Sequence, residues 1–175
     1  MGNLKRHIPQ EQTDARGQSD RVHQKLVQLS EAVRRISHEL HPAILEYSGL
    51  VSALRAYCEE FEALTGVRVS LLIDGSFDSV PSSAALCVYR ITQEALRNVS
   101  KHAKVNAAAI ELNRSEGLLR LTVADAGVGI DPARVEAAAG LGLVSMKERT
   151  RLVGGSFEIT SKPNRGTVVT VRIPD

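Results

Sequence analysis

The sequence has no tryptophan, and aromatic residues make up only 3% of its 175 residues. Its formal net charge of +2 is close to neutral. A nucleic-acid-binding domain usually carries a dominant basic stripe, and a single-strand binder adds aromatic side chains on which bases stack. The chain has neither feature, so its composition argues against a nucleic-acid partner.

The chain also lacks long apolar runs and has only two cysteines, Cys58 and Cys87. No stretch approaches the roughly 20 apolar residues of a membrane span, and the N-terminus lacks the apolar core of a signal peptide. The cysteines are far apart and without metal-ligand spacing, so we expect two small buried thiols and no disulfide. These features predict a soluble, cytoplasmic chain with no membrane contact of its own, although a longer parent protein could be membrane-anchored.

The length allows one well-buried domain and a short appendage. Residues 1–19 are polar and without periodicity, which predicts a flexible tail. In residues 20–48, apolar side chains recur at alternating steps of four and three: Val22, Leu26, Leu29, Val33, Ile36 and Leu40. This heptad seam predicts a helix that needs a partner. Packing on the chain's own body is one possibility, but the strict spacing favours a homodimeric bundle through residues 20–41.

Residues 49–175 predict one α+β domain. The predicted helices span about Gly49–Leu64, Pro81–His102 and Gly142–Val153, and the predicted strands span Val67–Ile73, Ala107–Asn113, Leu118–Ala124, Phe157–Thr160 and Thr167–Ile173. This order predicts a two-layer α/β sandwich, in which about five strands form a sheet with helices packed on one face.

The second predicted helix carries Glu94 and Asn98, four residues apart, with Lys101 and His102 nearby. A carboxylate and an amide one turn apart can place two hard oxygens on one cation. Such an arrangement suits magnesium, which takes a few protein oxygens and keeps waters for the rest. Taken alone, the pair is more typical of a solvated helix face.

A glycine-containing segment, Asp125-Ala126-Gly127-Val128-Gly129-Ile130, directly follows a predicted strand. The two glycines allow unusual backbone angles and close approach to a ligand. An aspartate at a strand end can accept a hydrogen bond from the exocyclic amine of adenine, whereas guanine presents an oxygen there. Taken alone, the segment could equally be a surface turn or a calcium-type loop.

Two further motifs follow. Gly140-Leu141-Gly142-Leu143 precedes a helix, and free N–H groups at a helix start favour phosphate. Its spacing is neither that of a nucleoside-triphosphate P-loop nor that of a dinucleotide-binding loop, and it could instead be a mobile loop with a glycine cap. Gly166-Thr167 begins the last strand, where a threonine hydroxyl could bind a base directly or through water.

In this order, the four motifs resemble the ATP-binding signature shared by gyrase, Hsp90, MutL and histidine kinases, over about residues 81–175. The resemblance implies the Bergerat-type fold, with ATP and Mg²⁺ as cofactors. By it, Asn98 would ligate the metal and Glu94 would help to position it, which makes both catalytic residues. Asp125 would bind the adenine amine, and Gly127 and Gly129 would shape the base pocket.

The same resemblance implies the remaining ATP contacts. Gly140, Gly142 and Leu143 would line the phosphates beneath a flexible lid, and Thr167 would reach the base. The predicted ATP-binding residues are completed by Lys101, His102 and Ile130.

Several segments are similar to the nitrate-sensor type of sensor histidine kinase, from about Leu26 to Asp175. They are Ile36-Ser37-His38-Glu39-Leu40-His41-Pro42, Asn98-Val99 with Lys101-His102-Ala103, and Met146-Lys147-Glu148-Arg149 after Gly142-Leu143. This resemblance implies a two-component kinase that transfers the γ-phosphoryl of ATP to a histidine and, as the full-length protein, serves a response regulator. Ala126 departs from the usual asparagine, a minor change because that side chain need not touch ATP.

The phosphoacceptor histidine of that family lies in an R-E-L-H-D-like motif, which this sequence lacks. Only about 60 residues separate His38 from Asn98, and they already include another predicted helix and the first strand. We therefore expect His38 to lie on the second bundle helix, with the acceptor upstream of this chain. The chain is then a catalytic fragment that binds ATP but does not phosphorylate itself.

Two alternatives stay open. A serine kinase of the anti-sigma type would share the nucleotide signature, but residues 37–42, Ser-His-Glu-Leu-His-Pro, argue against it. A helical dimerisation module with a degenerate nucleotide site is disfavoured by the intact Asn98, Asp125 and glycine motifs. Nucleotide titration distinguishes such a module from a kinase with an intact nucleotide site.

Overall fold

The computed structural model describes residues 43–130 and 141–174. These residues belong to one compact unit that begins at Ala43. The predicted tail over residues 1–19, the heptad seam, His38 and Gly140 lie outside the described residues. The predictions made for them, and the division of the chain at residue 49, stay predictions.

The described residues form three α-helices, one π-helical turn and five strands. In chain order they are α1 (Ala43–Thr65), β1 (Arg68–Asp74), α2 (Ser82–Asn98), the π turn (Val99–Ala103), β2 (Ala107–Ser115), β3 (Leu118–Asp125), α3 (Leu141–Leu152), β4 (Ser156–Ser161) and β5 (Thr167–Pro174). Most ends agree with the predicted elements to within one or two residues, the usual uncertainty of element ends.

The five strands form one mixed sheet in the order β1-β2-β3-β5-β4. β1 runs parallel to β2, which requires the crossover through α2, and the other neighbours are antiparallel. Glu116 and Gly117 form a two-residue turn between β2 and β3. Both residues have positive φ (53° and 72°), as the tightest hairpin turns favour. β2 therefore continues to Ser115, two residues beyond its predicted end at Asn113.

The core lies between the helices and one face of the sheet. In the central strands every second side chain is buried there, as strand geometry requires: Ala108, Ile110, Leu112, Leu119, Leu121, Val123, Val169, Val171 and Ile173. They pack in one cluster with fully buried helical residues such as Leu54, Ile91 and Leu96. Each such aliphatic side chain contributes about 1.5–3 kcal/mol on burial. The predicted two-layer sandwich is confirmed.

Helix α1 is interrupted at Gly49, whose φ of 75° and ψ of 171° are not helical. A positive φ is strained for residues with a Cβ, so glycine suits this kink. The stretch after the kink corresponds to the helix predicted to begin at Gly49.

The helix predicted to run to His102 is α-helical only to Asn98, and its last turn is the π turn. Lys104, in the left-handed conformation with φ 57° and ψ 40°, ends it. Periodicity alone cannot distinguish a single wide turn from another α-helical turn. Such turns are rare and often lie at functional sites.

Cys58 and Cys87 are both buried and unpaired by disulfides, as predicted. Within residues 43–130 and 141–174, no helix combines the length and the apolar character needed to span a bilayer.

Candidate functional site

A cavity of about 580 Å³ opens between α2, the π turn, the start of α3 and the adjoining ends of β3, β4 and β5. Cavities of this size accommodate small-molecule ligands. Most predicted site residues line it: Glu94, Asn98, Lys101, His102, Asp125, Gly129, Ile130, Gly142, Leu143 and Thr167. Gly127 is buried outside the lining, and Gly140 is not among the described residues.

Glu94 and Asn98 form the helical wall of the cavity, one turn apart on α2 and both half-buried. Glu94 Oε2 is 3.4 Å from Nη1 of Arg97, whose side chain is 60% exposed. Solvent screens such a pair, so it contributes little to stability. The other oxygen of Glu94 lies against Gly142, where a Cβ would otherwise stand.

The amide oxygen of Asn98 and the carboxylate of Glu94 fit magnesium, since both are hard oxygen donors in the cavity wall. Among the described residues, no group of three or more His, Cys, Asp or Glu is placed to hold a metal ion. A magnesium ion here would therefore take its remaining ligands from phosphates and water, as magnesium commonly does with nucleotides.

The π turn connects this wall to the segment after β3. Lys101 and His102, both exposed, project from it at the edge of the cavity. Its last carbonyl, that of Ala103, accepts a hydrogen bond from the N–H of Val128 at 3.0 Å. Gly127 packs so closely on Ala103 that a Cβ would collide with its carbonyl and methyl groups. Gly127 thus supports the cavity from behind.

Asp125 ends β3 and is half-buried in the cavity wall. Its Oδ1 accepts a hydrogen bond from the N–H of Gly127 at 2.8 Å, which fixes the orientation of the carboxylate. Gly129 has a φ of 66°, and a side chain there would meet the carbonyl of Lys162. Both the backbone angle and the lack of space therefore require glycine at this position.

The β4–β5 hairpin holds the same segment from the other side. Asn164 N–H donates to the carbonyl of Val128 at 2.7 Å, and Gly166 N–H donates to that of Gly127 at 2.8 Å. The hydroxyl of Ser161 accepts from the N–H of Ile130 at 2.7 Å. Ser161 was not among the predicted site residues, although it shares the inward face of β4 with Phe157 and Ile159.

The start of α3 forms the remaining wall. Gly142 and Leu143 are half-buried there. The first N–H groups of this 12-residue helix lack partners within the helix and carry its partial positive charge. Anions are favoured at such a position.

Apolar side chains that were not among the predicted site residues complete the cavity. They include Ala95, Val99, Val123, Ile159 and Val169. Each belongs to the inward-facing residues of its helix, turn or strand, so the apolar periodicity of these elements was the available signal. Together they form a surface suited to a flat ring.

Residues 84–175 match the family model described as histidine kinase-, DNA gyrase B-, and HSP90-like ATPase. The chain belongs to this family. Its domain is the ATP-binding catalytic domain of a two-component sensor histidine kinase.

Curated relatives include the oxygen sensor histidine kinase NreB of Staphylococcus carnosus, 36% identical over 156 residues, which cover 89% of this chain and 45% of that protein. The sensor histidine kinase MctS of Rhizobium johnstonii is 36% identical over 144 residues, 81% of this chain and 31% of that protein. The chain thus spans less than half the length of these relatives.

Solved structures share the fold. The histidine kinase domain of the blue-light activated kinase of Erythrobacter litoralis aligns with a TM-score of 0.59 at 24% identity, over 71% of this chain and 64% of that one. The mycobacterial sensor histidine kinase MprB aligns with a TM-score of 0.55 at 18% identity, over 71% of this chain and 93% of that one.

Proposed function

We propose that this domain binds ATP with Mg²⁺ and presents the γ-phosphoryl group for transfer to a histidine. The observation that carries the proposal is the single cavity shared by Asp125, Asn98 and the start of α3. A carboxylate that can bind adenine, an amide that can bind a metal ion and a helix start that can bind phosphate thus line a cavity of the size of one small ligand.

At the base end, the carboxylate of Asp125 accepts a hydrogen bond from the 6-amino group of adenine. The hydrogen bond from Gly127 N–H to Oδ1 supports this role, because it keeps the carboxylate in one orientation before ATP arrives. The apolar residues Val123, Ile159 and Val169 pack against the ring. Thr167 contacts the base beside Asp125.

At the phosphate end, the first N–H groups of α3, the ammonium group of Lys101 and an imidazole N–H of His102 hold the triphosphate. Asn98 would hold the magnesium ion, and Glu94 would help to position it from the adjacent turn of α2. The metal, when bound, neutralises charge that develops on the phosphates. Positioning and charge neutralisation supply most of the catalysis in phosphoryl transfer.

The acceptor histidine, the partners and the location of the whole protein belong to the same proposal. In this proposal the acceptor lies outside this sequence, and residues 20–48, which include His38, are the second helix of the bundle. That helix forms a homodimer, and the full-length kinase serves a response regulator in the cytoplasm, where ATP is available.

The test of the nucleotide site is Asn98→Ala. We expect it to weaken binding of ATP with Mg²⁺ far more than binding of adenosine, which carries no phosphates for the metal. Ser100→Ala is a matched control, because Ser100 is exposed two residues away and its hydroxyl donates to the carbonyl of Arg97. Isothermal titration with both ligands measures the difference, and equal losses for both ligands would remove Asn98 from the metal site.

The test of the acceptor uses γ-labelled ATP. We expect no label on the chain alone, and label on an added chain that supplies the preceding bundle helix with its histidine. The His38→Gln variant should transfer to that added chain as the parent does. Label that appears on the chain alone and is lost in His38→Gln would make His38 the acceptor.

A further inference from the structure

The hydroxyl of Ser161 makes three contacts at the edge of the cavity. It lies 2.7 Å from the backbone nitrogen of Ile130, 2.8 Å from the carbonyl oxygen of Gly166 and 3.0 Å from the hydroxyl oxygen of Thr167. Ser161 is half-buried at the end of β4, and Thr167 is its direct neighbour on β5.

The directions of these hydrogen bonds follow from counting protons. A hydroxyl has one proton to donate and two lone pairs to accept with. The carbonyl of Gly166 can only accept, so it takes the single proton of Ser161. The N–H of Ile130 can only donate, so it uses one lone pair. The contact with Thr167 must then use the second lone pair, with Thr167 as the donor.

This assignment leaves Thr167 with no proton for the cavity that it lines. Its hydroxyl can offer only a lone pair to a ligand. Thr167 pairs with Asp125 in the register of β3 and β5, and the carboxylate of Asp125 also only accepts. Two acceptors therefore stand side by side at the base end of the cavity.

We propose that Ser161 is a positioning residue that fixes Thr167 as an acceptor and thereby makes the site select a base with a 6-amino group. The inference rests on the proposed function, since it names what sets the base preference of that nucleotide site. A 6-amino group can donate to both acceptors. A 6-oxo base presents another acceptor at the same place and is disfavoured by both.

The role differs from structural support. Ser161 also holds the backbone of Ile130, so Ser161→Ala loosens the segment after β3 and weakens every nucleotide. Only the release of the Thr167 proton changes the preference between nucleotides, because Thr167 can then rotate and donate to a 6-oxo group.

The experiment is a double-mutant cycle with ATP and inosine triphosphate, both with Mg²⁺. Inosine triphosphate carries a 6-oxo group in place of the amine. Dissociation constants are measured for the parent chain, Ser161→Ala, Thr167→Val and the double variant. We expect Ser161→Ala to reduce the preference for ATP by about 3- to 10-fold, the range of one neutral hydrogen bond. In the Thr167→Val background, Ser161→Ala should leave the preference unchanged.

Ser161→Thr keeps the hydroxyl, so this variant should prefer ATP over inosine triphosphate as the parent chain does. Ser161→Cys is close in size to serine, but its thiol forms only weak hydrogen bonds, so it should reduce the preference for ATP as Ser161→Ala does. It replaces Ser161→Ala in the cycle if that variant does not fold. A parent chain that fails to bind ATP overturns the proposed function. A parent chain that binds ATP while Ser161→Ala weakens both nucleotides equally overturns only the role of Ser161, as does a loss of preference that persists with Thr167→Val.

Discussion

The carboxylate of Glu94 lies against Gly142, in the space that a side chain at position 142 would fill. The two residues come from α2 and α3 and are far apart in the chain. Gly142 has helical backbone angles, so its conformation does not require glycine. Glycine is needed there because a side chain would occupy the space of the Glu94 carboxylate. The contact joins the proposed metal-positioning carboxylate to the proposed phosphate seat.

Gly142→Ala should separate binding from stability. Its Cβ meets the end of the flexible side chain of Glu94, which can move away. Alanine also favours a helix over glycine by about 1 kcal/mol, so thermal stability should be unchanged or slightly higher. Titration should nevertheless show weaker binding of ATP with Mg²⁺, because the carboxylate is displaced.

Val144→Ala, at an exposed position of the same helix, is the matched control and should bind as the parent does. Glu94→Gln combined with Gly142→Ala should weaken binding less than the two separate effects added, since both act on one group. Parent-like binding by Gly142→Ala would mean that the position of Glu94 does not matter for ATP.

Asp125→Asn should reduce the preference for ATP over GTP. Asparagine keeps an oxygen for the N–H of Gly127 but replaces the charged acceptor that we propose faces the 6-amino group of adenine. Hydrogen bonds to charged groups contribute about 1.5–3 kcal/mol, so ATP should weaken by roughly 10-fold or more. Competition titrations with both nucleotides measure this change.

Asp74→Asn is the control for Asp125→Asn. Asp74 is an exposed carboxylate at the end of β1, where it accepts a hydrogen bond from Asn113 at 2.7 Å. It does not line the cavity, so its replacement should leave both affinities unaltered. If the ATP preference survives in Asp125→Asn, another group reads the base.

The elements that could be predicted from sequence are those with an unambiguous period. The inward residues of β2, β3 and β5 alternate strictly, and the apolar face of α2 repeats at helical spacing. These two periodicities were sufficient to predict the two-layer sandwich. The site residues in the motifs could also be predicted, because few other functions require a strand-end aspartate and two glycine motifs in this order along the chain. Asp125, Gly129, Gly142 and Thr167 accordingly line one cavity.

The features that escaped depend on contacts between distant residues. The π turn leaves the apolar repeat of α2 almost unchanged, and it is tied to a distant segment by the hydrogen bond from Val128 N–H to the carbonyl of Ala103. Ser161 looks like any polar residue at the end of an edge strand until Ile130 and Gly166 are brought beside it. Such roles are set by the tertiary arrangement, which no local pattern encodes.

Gly129→Ala and Gly154→Ala form a matched pair for the segment after β3. Both glycines have positive φ, 66° and 71°, so each substitution costs about 1–2 kcal/mol for backbone strain. At Gly154 nothing lies within 4 Å of the added methyl group, whereas at Gly129 it meets the carbonyl of Lys162.

Gly154→Ala should therefore lower the stability of the domain without changing its affinity for ATP. Gly129→Ala should lower the stability more and should also weaken ATP binding. Urea denaturation and ATP titration of the two variants provide the comparison. Equal effects on both measurements would show that the space beside Lys162 is not needed to shape the cavity.

The two buried thiols should make the domain less stable in alkaline solution. Burial, the main cause, raises the pKa of Cys58 and of Cys87 from 9.0 to about 11. Glu62 and Glu59 raise the pKa of Cys58 further, whereas a hydrogen bond with Thr150 and the charge of Arg149 partly oppose the rise for Cys87. The folded state thus holds the thiol protons more tightly than the unfolded state.

A raised pKa in the folded state stabilises the fold fully below the unfolded value of 9.0, and the contribution disappears as pH rises through about 11. Urea denaturation midpoints should therefore fall across this window. In Cys58→Ala with Cys87→Ala the midpoint starts lower, because of lost packing, but its slope with pH should be shallower. Part of the slope should persist, since burial also raises the pKa of Tyr57 to about 12. An identical slope in parent and double variant would mean that the thiols do not cause the alkaline loss.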